Sequence, residues 1–146
     1  MKAALVKLIA LTLLGSALTA CGSLPASKQK RATALDASIS AYRKLIRWGY
    51  YDEAEKVLRK QDGTPIAADL ERAARYRVTS YTIKQQLMAD NGREARVIAL
   101  IEYYELDSGV IHSLRDEQLW WYDDETMRWY VAAPLPAFGA PVTVNK

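Results

Sequence analysis

The chain has 146 residues, of which 50% are hydrophobic, and its 20 basic residues against 17 acidic ones give a net charge of +3. This length suits one domain with a hydrophobic core, and the small basic excess excludes the strongly charged footprint of a nucleic-acid-binding protein. A single cysteine and a single histidine exclude disulfide frameworks and zinc sites built from several such residues.

Residues 1–20 have the composition of a secretory signal. Lys2 and Lys7 accompany the apolar run Leu8–Leu14, small residues follow, and no acidic side chain is present before Cys21. A basic start, an apolar centre and a small-residue site are typical of a cleaved signal peptide. The apolar run falls well short of the ~20 residues that a spanning helix needs, so a lasting transmembrane anchor is the weaker interpretation.

The residues at the expected cleavage point are Leu18-Thr19-Ala20-Cys21. They resemble the lipobox of bacterial lipoproteins, which carries a leucine, two small residues and an invariant cysteine. The resemblance implies that cleavage precedes Cys21, that its sulfur receives a diacylglyceryl group, and that its freed amine is usually acylated. Two or more acyl chains hold a protein stably on a membrane, whereas one binds only marginally. The alternative is an ordinary signal peptide with a chance cysteine.

The residue after the cysteine is Gly22. In lipoproteins of enteric-type bacteria an aspartate at this place tends to retain the protein on the inner membrane. Its absence implies attachment to the outer membrane on the periplasmic side, with the inner membrane as the alternative.

Residues 21–32 are predicted to be a lipidated tether. Loss of residues 1–20 removes Lys2 and Lys7 and no acid, which leaves 18 basic against 17 acidic residues in the remaining chain. The cluster Lys28-Gln29-Lys30-Arg31 is typical of a solvated linker. Contact of this cluster with anionic head groups is the alternative, although polybasic recognition usually needs more charges.

Apolar residues recur at helical spacing from about Thr33 onward. The stripe predicts a helix over 34–48 that ends at Gly49, and its members are Leu35, Ile39, Tyr42, Leu45 and Ile46. Asp52 with Glu55 has the pattern of a capping box and predicts a second helix over 53–60. A single tetratricopeptide-like pair is the competing interpretation, but it needs further copies, which the sequence lacks. Residues 66–75 give no clear assignment.

The pattern changes to strands after Tyr76. Four strands are predicted over 76–87, 95–106, 110–122 and 127–133, separated by short turn sequences. Short turns make neighbouring strands antiparallel, so we predict a four-stranded meander in chain order. The small apolar face of the second strand is predicted to meet the helices, and it comprises Ala95, Val97, Ala99, Ile101 and Tyr103. Polar residues in the middle of the third strand indicate that one of its faces is not fully buried there.

Helices followed by a long, curved meander predict an α+β fold, with one domain over 33–138 and a loose tail over 139–146. This order resembles the NTF2-like and cystatin-like groups, in which helices lie in the concave face of a bent sheet. The strands also resemble a group of uncharacterised proteobacterial lipoproteins, in segments 77–81, 101–104, 118–120 with Trp129, and 135–138. That resemblance implies the fold and brings no catalytic motif.

No catalytic, cofactor-binding or metal-binding motif is found. His112 stands alone on a predicted strand, without the G-x-S-x-G elbow of a serine hydrolase. The acidic residues 123–125 have the composition of a solvated hairpin turn. No glycine-rich phosphate loop is present. We therefore predict a protein without cofactor or metal and without enzymatic activity.

Aromatic side chains are the most informative feature of the predicted sheet. One hypothesis gathers six of them into a binding surface, namely Trp120, Trp121, Trp129, Tyr81, Tyr103 and Tyr104. The alternative is packing in the core and across the last hairpin. Since Trp120 and Trp121 must face opposite sides of a strand, at least one is predicted to be partly exposed.

The leading functional hypothesis is a lipid-anchored accessory or interaction module of the cell envelope, held at the membrane by its N-terminal lipid and with an envelope protein as its partner. The alternatives are a protein that binds a small molecule in a pocket and, less favoured, an enzyme.

Overall fold

Helix α1 (Ala26–Trp48) is the first element of the computed structural model, which describes residues 26–140. Its C-terminal end confirms the predicted stop, because Gly49 has a φ of 74°, in the left-handed region that favours glycine. Its start lies earlier than predicted, so residues 26–32 of the expected tether are helical. One stripe of the helix is buried, comprising Leu35, Ile39, Tyr42 and Ile46.

Tertiary contacts hold the first turns of α1. The Arg31 side chain donates from Nε to the carbonyl oxygen of Gly92 at 2.9 Å. The Trp129 indole donates from Nε1 to the carbonyl oxygen of Arg31 at 3.0 Å. These two bonds fix a segment whose own composition is polar and mostly exposed.

Four strands form one sheet: β1 (Tyr76–Met88), β2 (Glu94–Glu105), β3 (Ile111–Asp123) and β4 (Arg128–Val131). They pair antiparallel in the order β1-β2-β3-β4, which confirms the predicted meander and makes the fold α+β. The register of β1 shifts twice, between Val78 and Ser80 and between Ile83 and Gln85. Such bulges increase the local twist of a strand.

Two short helices precede the sheet, α2 (Tyr51–Glu55) and α3 (Leu70–Ala74). The predicted bounds of the second helix are wrong, and Asp52 lies in its first turn rather than at the N-cap. The capping box is absent because Glu55 accepts a bond from the backbone nitrogen of Ala68 at 2.7 Å instead.

The chain after α2 covers the outer edge of β4. The backbone N–H of Arg59 donates to the carbonyl oxygen of Val131 at 2.9 Å. The backbone N–H of Val131 donates to the carbonyl oxygen of Val57, also at 2.9 Å. Backbone hydrogen bonds from residues 57–59 therefore cover the outer edge of β4.

The core lies between the helices and one face of the sheet. The face of β2 that carries Ala95, Val97, Ala99, Ile101 and Tyr103 is buried there, as predicted. Phe138 closes the far end, with its ring centroid 5.0 Å from that of Tyr103. The backbone N–H of Gly139 donates to the Tyr103 hydroxyl at 3.1 Å, and residues 141–146 of the predicted tail lie outside the described residues. Within residues 26–140, no helix is both long and apolar enough to span a membrane.

Candidate functional site

A polar cluster lies buried between α1 and the sheet, centred on Gln118, which is 2% exposed. Its amide nitrogen donates to the Tyr81 hydroxyl and to Oδ2 of Asp116, both at 2.5 Å. Its amide oxygen accepts from Nε1 of Trp120 at 3.0 Å. Gln118 therefore uses both of its donors and one acceptor position to join three side chains, and these bonds fix the orientation of its amide.

The sheet register creates this cluster. Asp116, Gln118 and Trp120 alternate along β3 and so share the face that points toward the helices. Asp116 and Gln118 pair across the sheet with Ala99 and Val97 of β2. Tyr81 lies on β1, two strands away, so its bond to Gln118 crosses β2 above these small side chains.

Tyr42 of α1 completes the cluster from above. Its ring meets the Trp120 ring edge to face, with centroids 5.8 Å apart. Its hydroxyl is buried and has no hydrogen-bond partner among the described residues. Burial, with a further contribution from the nearby Asp116 carboxylate, raises the pKa of both Tyr42 and Tyr81. Both phenols therefore keep their protons and remain hydrogen-bond donors.

Asp116 is the ionisable acid of the cluster. Burial raises the pKa of its carboxyl, and the bond from Gln118 partly opposes this shift. The folded chain therefore still holds this proton at pH values where the unfolded chain has lost it. The free energy of unfolding falls as the pH rises from the unfolded pKa, about 4, through the folded pKa, and the loss persists at higher pH.

Asp116→Asn removes this ionisation while keeping an oxygen to accept from Gln118. We expect the variant to be more stable than the wild type at about pH 7, with a smaller advantage at about pH 3. Urea unfolding at both pH values measures the difference. Asp107→Asn, at an exposed turn, is the matched control. An advantage of Asp116→Asn that does not shrink on acidification would contradict this account.

The structure does not bring the six predicted aromatic residues onto one surface. Trp120, Trp129, Tyr81 and Tyr103 are 1%, 3%, 8% and 4% exposed and belong to the core. Trp121 and Tyr104 are half-buried on the opposite face of the sheet. Packing in the core therefore accounts for four of the six, and packing across the last hairpin, the other part of the alternative interpretation, accounts for Trp121, which lies opposite Tyr130.

The neighbouring tryptophans do face opposite sides, as predicted, and the partly exposed one is Trp121. Its ring packs on Tyr130 with centroids 5.4 Å apart, and its Nε1 donates to the carbonyl oxygen of Arg59 at 2.8 Å. The outward face of β3 also confirms the prediction from its polar middle, since Ser113, Arg115 and Glu117 are exposed. These two contacts hold the Trp121 side chain against the outer face of the sheet.

The remaining candidate residues, His112 and the acidic turn 123–125, do not come together in a catalytic or metal-binding arrangement. His112 is exposed and stacks on Tyr103, with ring centroids 5.5 Å apart. The acidic turn is held by its own bonds, since Asp123 accepts from the Thr126 hydroxyl at 2.7 Å, and such bonds lower the pKa of Asp123. In the part of the chain that the structure describes, no three histidine, cysteine or acidic side chains are grouped to hold a metal ion.

The most exposed aromatic side chains lie elsewhere, at the C-terminal end of α1. Trp48 is 69% exposed and Tyr50 is 58% exposed. The guanidinium of Arg47 lies 5.7 Å from the Trp48 ring centroid. We call this region, with Arg43 and Lys44, the Trp48 surface. Sequence reasoning missed it, although Trp48 lies off the helical stripe that ends at Ile46.

Two cavities flank the buried stripe of α1. One, of about 240 Å³, opens at the Trp48 surface, and its lining residues are Arg43, Lys44, Arg47, Trp48 and Tyr81. The other, of about 270 Å³, lies between α1 and the β3–β4 hairpin and has mostly apolar walls. Both are small beside the roughly 300–1,000 Å³ typical of ligand pockets.

The fold and site define a class of protein: an α+β domain with helices on one face of an antiparallel meander and a polar cluster inside the core. Comparison of the chain with protein-family models, with curated protein sequences and with solved structures finds no match in any of the three.

Proposed function

We propose that this chain is a lipid-anchored protein of the cell envelope whose domain acts as an accessory or interaction module. The observation that carries the interaction role is the Trp48 surface, where two aromatic side chains are more than half exposed beside three basic ones. Tryptophan, tyrosine and arginine are the residue types that contribute most to protein interfaces. An envelope protein is the proposed partner.

The lipobox-like sequence supports the anchor, although Cys21 lies outside the described residues. Four residues lie between Cys21 and Ala26, so the five residue steps from the lipidated cysteine to the helix span at most ~18 Å. The 23 residues of α1 then extend about 33 Å further to Trp48. The anchor and the Trp48 surface thus belong to opposite ends of α1. The outer membrane, on its periplasmic side, is the proposed location, with the inner membrane as the alternative.

An NTF2-like or cystatin-like roll is the proposed finer description of the fold. Its support is the placement of helices on one face of a four-stranded meander and the two bulges in β1, since bulges bend strands.

A crosslinking experiment in cells tests the proposed function. A photoreactive amino acid is placed at Trp48 or, as a matched exposed position on the outer sheet face, at Leu87. We expect one reproducible protein adduct from position 48 and none from position 87. We also expect Cys21→Ser to abolish palmitate incorporation and to release the protein from the membrane fraction.

The two parts of the proposal fail separately. Palmitate labelling that persists in Cys21→Ser would refute the lipid anchor. Equal adducts from positions 48 and 87, or none from either in a labelled, membrane-bound protein, would refute the Trp48 surface as the interaction site.

A protein that binds a small molecule is the second candidate. The cavity of about 270 Å³ between α1 and the β3–β4 hairpin favours it, because ligand sites are concave and lined mostly by apolar side chains.

A further inference from the structure

The N-terminal part of β3 has an open edge. β4 pairs only with residues 120–123 of β3, and the last backbone bond on that side runs from the N–H of Ala132 to the carbonyl oxygen of Leu119 at 2.8 Å. Pro134, which has no N–H to donate, follows shortly after, and the ladder does not continue. On this side of β3, no backbone hydrogen bond joins residues 111–118 to any other described residue.

The backbone of this edge is regular. β3 pairs with β2 without a register shift over residues 111–121. Alternate residues of a strand direct their backbone groups to the same side, and Leu119 directs its carbonyl oxygen to the outer edge. The N–H and C=O groups of Ser113, Arg115 and Glu117 therefore also point outward, where they have no backbone partner among the described residues. A regular edge with unpaired backbone groups is a template for another strand.

A second copy of the same edge complements it in one antiparallel register. With Leu114 opposite Leu114 of the other copy, an apolar pair forms at the centre, and Asp116 of each copy lies opposite His112 of the other. Leu114 is partly buried and already packs against the core. The backbone groups of these three residues point toward β2, so they form pairs of the non-hydrogen-bonded kind, in which side chains come closest.

The neighbouring registers are poorer. One centred on Arg115 sets two guanidinium groups opposite each other, and like charges directly opposite destabilise a sheet. One centred on Ser113 sets Leu114 opposite His112 and Arg115 opposite Ile111, so that polar side chains meet apolar ones. The order of side chains along β3 therefore favours the register centred on Leu114.

Asp116 and His112 each have a hydrogen-bonding group available for this contact. The Asp116 carboxylate accepts from Gln118 through Oδ2, and its Oδ1 accepts no bond from another described residue. The His112 ring is exposed, stacks on Tyr103 and makes no hydrogen bond with another described residue. An imidazole has an N–H donor in either protonation state, so His112 can donate to the carboxylate opposite.

We propose that two copies of this chain associate through residues 111–117 of β3 and join the four strands of each copy into one continuous sheet. The two-fold axis passes between the two Leu114 side chains, perpendicular to the sheet, so both sets of helices lie on the same face. A contact that uses the same edge of both copies closes on itself as a dimer. This inference goes beyond the interaction module proposed above, uses a different surface from Trp48 and does not depend on a lipid at Cys21.

The mass in solution tests the association. Every described element lies within residues 26–140, so a chain of residues 22–146 keeps the whole described fold and lacks Cys21, the sole cysteine. We expect sedimentation equilibrium of this chain to give a mass that rises with concentration to twice that of the monomer.

Cysteine crosslinks test the register. On mild oxidation we expect Leu114→Cys to form a disulfide-linked dimer, because directly opposite residues of a non-hydrogen-bonded pair lie within disulfide distance. Arg115→Cys is the matched control. Arg115 is more exposed than Leu114, but in this register it faces Ser113 rather than itself, so its crosslink should form about tenfold more slowly or less.

Two further pairs of variants test the backbone and the side-chain contacts. Arg115→Pro removes an outward N–H without breaking a bond to β2, and it should raise the dissociation constant of the dimer about tenfold or more, because symmetry counts the loss twice. Arg115→Thr keeps the N–H and should change that constant by less than about threefold. His112→Glu sets two carboxylates opposite each other and should also raise it about tenfold, whereas His112→Gln keeps a donor and should stay within about threefold. Urea midpoints verify that each variant is folded.

A monomeric mass at every concentration would overturn the proposal and leave this edge to a strand of another protein. Crosslinks of Arg115→Cys that form as fast as those of Leu114→Cys would also overturn it, because random collision produces them. So would equal dissociation constants for Arg115→Pro and Arg115→Thr, or for His112→Glu and His112→Gln. Loss of the dimer would leave the Trp48 crosslinks unaffected, which separates failure of this inference from failure of the interaction module.

Discussion

Trp120→Ala should lower the free energy of unfolding by about 3–5 kcal/mol, the usual cost of deleting a fully buried tryptophan. Trp120 is 1% exposed, and its ring packs against Tyr42. The substitution opens a cavity between α1 and β3 and also leaves the Gln118 amide oxygen without its donor. Since domains of this size are stable by about 5–15 kcal/mol, much of the stability would be lost. Urea unfolding followed by circular dichroism measures it.

Trp121→Ala is the matched control, because it removes the same side chain from the next residue on the opposite face. Trp121 is half-buried and keeps one bond to Arg59 and one contact with Tyr130. We expect a loss of about 1–2 kcal/mol. Equal losses for the two variants would contradict the division of the sheet into a core face and an outer face.

Gln118→Met should destabilise the protein by about 1–3 kcal/mol or more, although methionine has nearly the same shape and is more apolar. The cost arises because two buried groups, the Tyr81 hydroxyl and the Trp120 indole N–H, and the half-buried Asp116 carboxylate lose their partner together. An unpaired charge is the most expensive of these. Urea unfolding at constant pH measures the change.

Gln85→Met on β1 is the matched control, since Gln85 is exposed and the substitution is chemically identical. Its effect should stay within about 0.5 kcal/mol. If Gln118→Met were neutral or stabilising, the polar cluster would contribute no net stability, and its hydrogen bonds would merely compensate for the burial of its members.

The four strands could be predicted from the sequence because their signals are local. Turn residues separate apolar runs of regular length, and the alternation along β2 identifies its buried face without knowledge of the partner. The start of α1 could not be predicted in this way. Residues 26–32 have a polar composition that favours a linker, and distant partners, Gly92 and Trp129, hold them in the helix.

The polar cluster around Gln118 could not be predicted from the sequence for a related reason. Alternation places Asp116 and Gln118 on the same side as Trp120, but polar residues on a strand normally indicate solvent. Only the path of α1 across the sheet shows that Gln118 is enclosed and that Tyr81 reaches it from two strands away. The same holds for the aromatic residues: alternation predicts which face of a strand each occupies, but their burial depends on which elements cover that face.

The two bulges of β1 also affect whether neighbouring copies of the protein can pair through their sheet edges. A lipid anchor would confine copies to a plane, where local density is high and an open strand edge invites aggregation. The edge at β4 is covered by residues 57–59, which leaves β1 as the outer strand without a backbone partner among the described residues. Its bulges set Thr79 and Lys84 out of register, and an irregular edge with a lysine resists strand addition. On a membrane, this edge would therefore resist pairing with the strands of neighbouring copies.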